Sequence, residues 1–334
     1  MIFYYIFLFL ICCFLFYLAG GWLVNGLVKV SRLLGLREFV MAFLVMAFAA
    51  SLPNLVVGIS SGLRGFPELS FGDVSGNNLI ALTLAVGIAA IFAKGGIPAR
   101  SRMAKTTSWF VTIAALLPIF LILDGELSRL DGVLLILAFI FYIVWMFSKK
   151  ERFTVNLEDN KSVSPLKFRA FFKDLMKVLL GLITFAVAAQ GIVVSAKFFA
   201  DQFNLSLVLI GILVTGVGSA LPEMYFDVVS AKRGQTWLVL GDLMGAIIIP
   251  STLVLGLVAL LFPIHMSGLS SSSLALARIF IIVSALLFPI LVKSGEEITK
   301  KEALLLLSIY IAFLIAQIFF FEIITNSGFN FLLK

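Results

Sequence analysis

The sequence has little charge and almost none of the side chains that build metal centres or catalytic pairs. Of its 334 residues only 13% are charged and one is histidine, a balance that no water-soluble core of this size requires. With His265 alone there is no HExxH motif, no GxSxG motif and no histidine inside an apolar run, so an intramembrane enzyme is a poor reading and no cofactor is expected. The two cysteines, Cys12 and Cys13, stand side by side in an apolar stretch. They cannot frame a disulfide scaffold and lack the spacing of a metal site, so they read as core. A concentrated basic patch is missing too. The net charge is +7, but the basic residues are scattered between apolar runs, which argues against a nucleic-acid partner. The N-terminus has no charged leader region and no evident cleavage site before Gly20, so its first apolar run is expected to be retained as a helix.

What the chain has in quantity is apolar length. Hydrophobic residues make up 61%, and stretches such as 2–18, 133–147 and 303–321 approach the roughly 20 residues that cross a hydrocarbon core as helix. β-barrel strands would be shorter and would alternate, so the expected class is an all-α membrane protein. Apolar runs and breakers place about ten helices near 2–28, 38–63, 74–93, 103–123, 130–148, 170–199, 206–231, 238–262, 273–292 and 302–322. The basic loops hold Lys29, Arg32 and Arg37; Lys94, Arg100, Arg102 and Lys105; Lys149, Lys150 and Arg152; Lys232 and Arg233; and Lys293, Lys300 and Lys301. They follow helices one, three, five, seven and nine. Arg64 is the main exception in the intervening loops, one of which holds His265 as a solvated residue. By the positive-inside rule, both termini of this multi-pass chain lie outside the cell membrane.

The one long polar connection, 149–169, separates a first half, 1–148, from a second, 170–334. Five helices per half, an odd number, makes the halves inverted. A shift of 169 residues, the one that carries Asn54 to Glu223, aligns them from about 45 to 87 without a gap. It superposes Leu52-Pro53 on Leu221-Pro222, Ser61 on Ser230, Arg64-Gly65 on Arg233-Gly234, Gly72-Asp73 on Gly241-Asp242, Gly76 on Gly245, Thr83 on Thr252 and Gly87 on Gly256. Coincident Pro, Arg, Asp and Gly are costly by chance, and they mark helices two, three, seven and eight. Inverted repeats with Pro- or Gly-interrupted helices in matching places point to a transport site near the bilayer midplane.

The chemistry on offer at those places is oxygen. Pro53 and Pro222 each lack an N–H and crowd the carbonyl four residues back, at Ala49 and Gly218, so helices two and seven are expected to be broken there with carbonyls released. Such carbonyls are hard ligands for Na⁺ or Ca²⁺. Glu223 follows Pro222 directly, and a mid-membrane carboxylate costs about 2.5–3.5 kcal/mol or more on insertion scales, which marks it as functional. The bland alternative keeps Glu223 protonated or paired with a polar neighbour such as Asn54. Asp227 lies one turn on and either shares the face of Glu223 or borders a wet vestibule. Asp73 and Asp242 follow glycines near helix starts, where the favoured reading is an N-cap rather than a ligand.

The pattern Ser/Ala-Leu-Pro-Asn/Glu followed by Gly-Asp-x-x-Gly resembles the α-repeats of the sodium/calcium exchanger, or cation/calcium antiporter, family. In that family GTSxPE stands on helices two and seven and GNxxGSN on helices three and eight, within two inverted five-helix repeats. Here the second repeat reads "GSALPE" (218–223) and "GDLMGAI" (241–247), and the first "AASLPN" (49–54) and "GDVSGNN" (72–78). The resemblance spans nearly the whole chain and implies a secondary cation antiporter. Its four central ligands carry over to Asn54 and Glu223 and to Ala81 and Pro250, so one carboxylate is left. The Thr-Ser of the sodium sites becomes Ala50-Ser51 and Ser219-Ala220, and the Ser of GSN becomes Asn77 and Ala246. The implied cation site is Glu223 and Asn54 with Ser51, Ser219 and Asn77. One carboxylate with amides suits a monovalent ion or a proton better than Ca²⁺, and Pro250 is expected to expose the Ala246 carbonyl as a substitute ligand. Helices one and six, carrying the small-residue stretches 19–26 and 188–196, would slide against the core. The competing reading is a non-transporting membrane scaffold or sensor that kept the fold and lost the ion site. The expected partners are the lipid bilayer and inorganic cations.

Overall fold

A computed structural model describes residues 1–33, 38–99, 102–148, 168–234, 236–266, 268–295 and 297–326. Ten helices account for almost all of them: α1 (Ile2–Leu33), α2 (Glu38–Leu63), α3 (Glu68–Phe92), α4 (Arg102–Leu121), α5 (Arg129–Ser148), α6 (Phe168–Phe203), α7 (Leu207–Lys232), α8 (236–261), α9 (Gly268–Ser294) and α10 (Lys300–Asn326). Nine carry apolar segments long enough to cross a membrane, and α2 carries a shorter one, Ala50–Leu63. Most of the connection 149–169, up to residue 167, lies outside the described residues, as do Arg37, Arg100, Lys149, Lys150 and Arg152 of the basic loops.

Burial sorts the helices into layers. The membrane windows of α3 and α8 are each 83% buried, whereas those of α5 and α10 are 28% buried. The two repeat-related helices with the most small and polar residues therefore form the centre, and apolar α5 and α10 face lipid.

Four short strands report the symmetry. β1 (Ile97–Pro98) follows α3, β2 (Glu126–Leu127) follows α4, β3 (Ile264–His265) follows α8 and β4 (Glu297–Ile298) follows α9. β1 pairs antiparallel with β4, and β2 with β3. Each pair joins the two halves, and exchanging the halves converts one pair into the other. Because one membrane crossing separates β1 from β2, the two pairs lie on opposite faces, as an inverted repeat requires. His265 sits in β3 and is not a free loop residue: its Nδ1 lies 3.1 Å from Glu126 Oε2, with both side chains well exposed.

The helices depart from regularity by widening. α3 contains a π-helical turn at Ala81–Ala85, α8 one at Ile249–Val254, and α7 one at Gly211–Thr215. Such turns are rare and frequent at functional sites. The turns of α3 and α8 fall on each other under the 169-residue shift. Both prolines lie inside regular helix, Pro53 within Glu38–Leu63 and Pro222 within Gly216–Lys232, and the interruption of α7 falls ahead of its proline, at Gly211–Thr215. Each proline thus removes one hydrogen bond from a turn that the surrounding bundle holds in helical form, as membrane helices tolerate.

One helix start differs from the sequence reading. α3 begins at Glu68 rather than near residue 74, because Pro67 supplies a φ of −63° at the N-cap position and Glu68 puts a carboxylate in the first turn. Asp73 is therefore a buried interior residue and not an N-cap. Asp242 likewise lies within Thr236–Ile248 and is buried.

α1 and α6 form a paired arm. Phe16 meets Phe185 edge-on at 5.0 Å, Tyr5 stacks on Phe198 at 3.8 Å, and the buried free thiol of Cys12 lies against Gly191. Interlocking aromatics tie the two helices to each other.

Candidate functional site

Most of the buried polar residues come from α2, α3, α7 and α8, and short side chains can meet there because two backbones touch. A Cβ added to Gly72 of α3 would fall 2.3 Å from the Val208 carbonyl oxygen, and one added to Gly211 would fall 2.6 Å from the Gly72 Cα. Glycine facing glycine lets α3 press on the widened turn of α7. That contact brings Asp73 within reach of Thr215 and Ser219.

A first group is closed by its own hydrogen bonds. Asn54 Nδ2 donates to Asp73 Oδ2 at 3.0 Å and to Ser219 Oγ at 3.3 Å, and Ser219 Oγ donates to Asp73 Oδ1 at 3.1 Å. Three elements are thereby tied to one carboxylate. Asn54 and Glu223, related by the repeat, do not hydrogen-bond each other; Asn54 has turned its amide nitrogen to Asp73 instead. Ser51 is buried and committed elsewhere, since its Oγ donates to Ala47 O at 2.8 Å.

A second group links α3 to α8. Asn77 Nδ2 donates to Ala246 O at 3.1 Å and Asn78 Nδ2 donates to Ser251 Oγ at 2.7 Å. The Ala246 carbonyl, four residues before Pro250, is therefore occupied by an amide rather than left as a free ligand. Asn77 is also within hydrogen-bond reach of Glu223, which feels the charges of Asp242 and Asp73. Asp227 is buried, not set in a vestibule, and interacts electrostatically with Asp242 and Glu223. Pro53 and Ala49 on α2, and Pro222 and Gly218 on α7, flank these side chains in sequence, with Gly218 against the Cys13 sulfur.

The unfilled positions decide what this arrangement can do. Asn54 Oδ1, Asn77 Oδ1, Asn78 Oδ1, Glu223 Oε1 and Asp227 Oδ1 are buried and have no hydrogen-bond partner. All five are acceptors. The amide nitrogens of the three asparagines are already spent on Asp73, Ser219, Ala246 and Ser251. A buried acceptor left unpaired costs about 1–3 kcal/mol, and a cation answers several at once. Among the described residues no three His, Cys, Asp or Glu side chains form a group able to hold a metal ion. A bound cation would thus take amide and carbonyl oxygens beside a carboxylate.

Thr215, Asn78 and Ser251 belong to this polar cluster and were passed over in the sequence reading. Asn78 adjoins Asn77 in "GDVSGNN" and Ser251 follows Pro250, so adjacency to marked residues was the available signal.

Ten membrane helices in two inverted halves, closing over buried oxygen acceptors on widened helices, define an ion-coupled membrane transporter. The chain belongs to the sodium/calcium exchanger protein family, whose model matches residues 4–148 and 175–319. It is 28% identical over 308 residues to an uncharacterized membrane protein of Methanocaldococcus jannaschii, covering 91% of this chain and 94% of that one. It is 24% identical over 348 residues to the sodium/calcium exchanger MaX1 of Methanosarcina acetivorans, covering 92% and 97%. Among solved structures, the sodium-calcium exchanger NCX_Mj soaked with 10 mM Na⁺ and 10 mM Sr²⁺ shares the fold, with a TM-score of 0.64 at 23% identity over 93% of this chain and 98% of that one.

Proposed function

We propose that the protein is a secondary cation antiporter whose cation site is centred on Glu223 and Asn54, with Asn77 and Ser219 completing it and Ser51 bordering it. The observation that carries the site is the set of buried acceptor oxygens without donors, Glu223 Oε1, Asn54 Oδ1 and Asn77 Oδ1 above all. Glu223 supplies the charge. Asn54 is held by Asp73 and Ser219 so that its carbonyl oxygen stays free. Asn77 is held the same way by Ala246. With one central carboxylate, two cations, or a cation and H⁺, compete for the same place, and that competition couples their opposite movements. The α1–α6 arm moves against α2 and α7 and exposes the site to one side at a time. A scaffold without transport would have no use for these unpaired buried oxygens, each costly to keep.

The halves 1–148 and 170–334 act as the two repeats, joined by 149–169 on the cytoplasmic side. Both termini face the outside of the cell membrane, because the basic loops follow odd-numbered helices.

The test is exchange in proteoliposomes, with Na⁺ or Ca²⁺ loaded inside and uptake of the other followed. In Glu223→Gln a desolvated charge partner is lost, an effect of about 3–5 kcal/mol, so apparent affinity falls by roughly two to four orders of magnitude. Wild-type exchange in that variant would remove Glu223 from the site.

A further inference from the structure

The arm formed by α1 and α6 carries a glutamine amide in the middle of an apolar span, where it needs polar partners. Gln190 lies within Leu179–Phe203, next to Gly191, the point at which Cys12 of α1 touches α6. Both ends of its amide are engaged, and both partners belong to α2. Arg64 Nε donates to Gln190 Oε1 at 2.7 Å, and Gln190 Nε2 donates to Ser60 Oγ at 3.1 Å. Ser60 and Arg64 are one turn apart, so a single face of α2 presents an acceptor and a donor to the same amide. The guanidinium can only donate, and it therefore fixes which way the amide points.

α2 is in turn fixed to the core. A Cβ on Gly62 would fall 2.3 Å from the ring of Phe262, just past the end of α8, and one on Gly58 would fall 2.7 Å from both Ser70 of α3 and Val258 of α8. Lys197, two turns beyond Gln190 on α6, sets its ammonium 5.1 Å from the centre of the Phe66 ring, just past the end of α2. Arm and core are thus joined at this end by contacts of polar and charged groups. Ser60 and Arg64 follow Asn54 on the same helix, about 9 and 15 Å further along its axis. The contacts therefore lie between the cation site and the membrane face where α2 ends.

The other half cannot reproduce them. The shift of 169 residues that relates α2 to α7 also carries the small-residue stretch 19–26 onto 188–195, and under it Ser60, Arg64 and Gln190 correspond to Val229, Arg233 and Gly21. The arginine is kept, but valine and glycine have no polar side chain with which to bridge to it.

Resting on the arm movement proposed above, we infer that Gln190 is a positioning residue of the transport cycle, a latch that holds the α1–α6 arm on the Arg64 end of α2 and closes the cation site to that face of the membrane. A neutral amide suits the task. A carboxylate opposite Arg64 would make a charge-assisted pair, roughly twice as strong, and would resist a step repeated in every cycle. An apolar residue would leave Arg64 without its partner on the arm. The amide gives a contact that forms when the arm comes to rest on α2 and breaks when it slides away. Without a counterpart at the matching positions of the other end, it biases the arm toward the latched conformation.

The experiment measures where the arm rests. Full-length protein in lipid nanodiscs carries nitroxide labels at two exposed positions, Phe203→Cys on α6 and Leu261→Cys on α8, with Cys12→Ala and Cys13→Ala removing the native thiols. Pulsed electron paramagnetic resonance reads the distance between the labels. This parent should show a main latched distance, and adding Na⁺ or Ca²⁺ should change its share. Gln190→Leu and Arg64→Ala should each move the ratio toward the unlatched distance by about tenfold, and the double variant no further, because all three lose one contact. Gln190→Glu should move it the opposite way, which damage to packing would not do. In exchange assays on right-side-out and inside-out vesicles, the ratio of apparent cation affinities from the two faces should move by the same factor in Gln190→Leu, with the face nearer Arg64 gaining. Distances unchanged in Gln190→Leu and Arg64→Ala, or moved the same way by Gln190→Glu as by Gln190→Leu, overturn the latch; the arm movement then stands on the cation-dependent change in the parent. One distance in the parent and in every variant, with or without cation, overturns the arm movement and the latch together.

Discussion

The two halves share a frame and differ in what they place inside it. In the first half the site residues are amides, Asn54, Asn77 and Asn78, and the single carboxylate, Asp73, is filled with hydrogen bonds. In the second half Glu223 and Asp227 each keep a buried oxygen unpaired, and Asp242 is buried on α8 with no ion pair among the described residues. The backbones diverge as well: α7 widens at Gly211–Thr215, whereas the matching stretch of α2, 42–46, is ordinary helix. Repeat symmetry thus governs where helices cross, while charge has collected on one side of the crossing. On the proposed reading, a site built this way binds and releases a cation without a matching pair of acids, because the first half supplies neutral oxygens held in place by their own amide nitrogens.

Restoring the missing acid is the strongest way to break that division. Asn54→Asp removes the amide that donates to Asp73 at 3.0 Å and sets a like charge in its place. Breaking a buried charge contact costs about 3–5 kcal/mol, so the cation-free variant should melt well below wild type, and saturating Ca²⁺ should return much of the loss. An unchanged melting temperature without cation would mean that Asp73 does not depend on Asn54.

The frame itself can be tested at the contact between the halves. Gly72→Ala and Gly211→Ala each force a Cβ onto backbone atoms of the other half, at a cost of about 1–3 kcal/mol apiece. Because they crowd one shared contact, the double variant should lose less than the two single losses added together. Strict additivity in thermal unfolding would show that the two glycines act separately.

The smallest effect is expected at the membrane face. His265→Ala removes an exposed pairing with Glu126 across the β2–β3 ladder, worth about 0–1 kcal/mol. Stability should barely move, since the backbone pairing of the strands is unaffected. A large loss would mean that this strand pair holds the halves together through side chains.

Much of the frame was legible in the residues. The ten apolar runs, the 169-residue shift and the odd number of helices per half led to the bundle that the structure has. The site was legible in part. Glu223 and Asn54 stood out because Pro and a polar residue interrupt apolar helices. The role of Asp73 was hidden because Gly72 resembles a helix start, whereas Pro67 and Glu68 begin α3 a turn and a half earlier. The π turns were hidden as well, since Ala81–Ala85 and Gly211–Thr215 contain no breaker other than one glycine.

By itself the sequence determined the class, the repeat and the family resemblance, because hydropathy, helix length and coincident Pro, Gly and Asp are properties of the chain read along its length. Only the tertiary structure decided which oxygens are free. Whether an asparagine offers its carbonyl or its amide, and whether a carboxylate is filled or waiting, depends on partners far apart in sequence: Asn54 with Asp73 and Ser219, Asn77 with Ala246, Asn78 with Ser251. A buried polar group is defined by what it lacks as well as what it has, and that is settled when helices from the two halves close on each other.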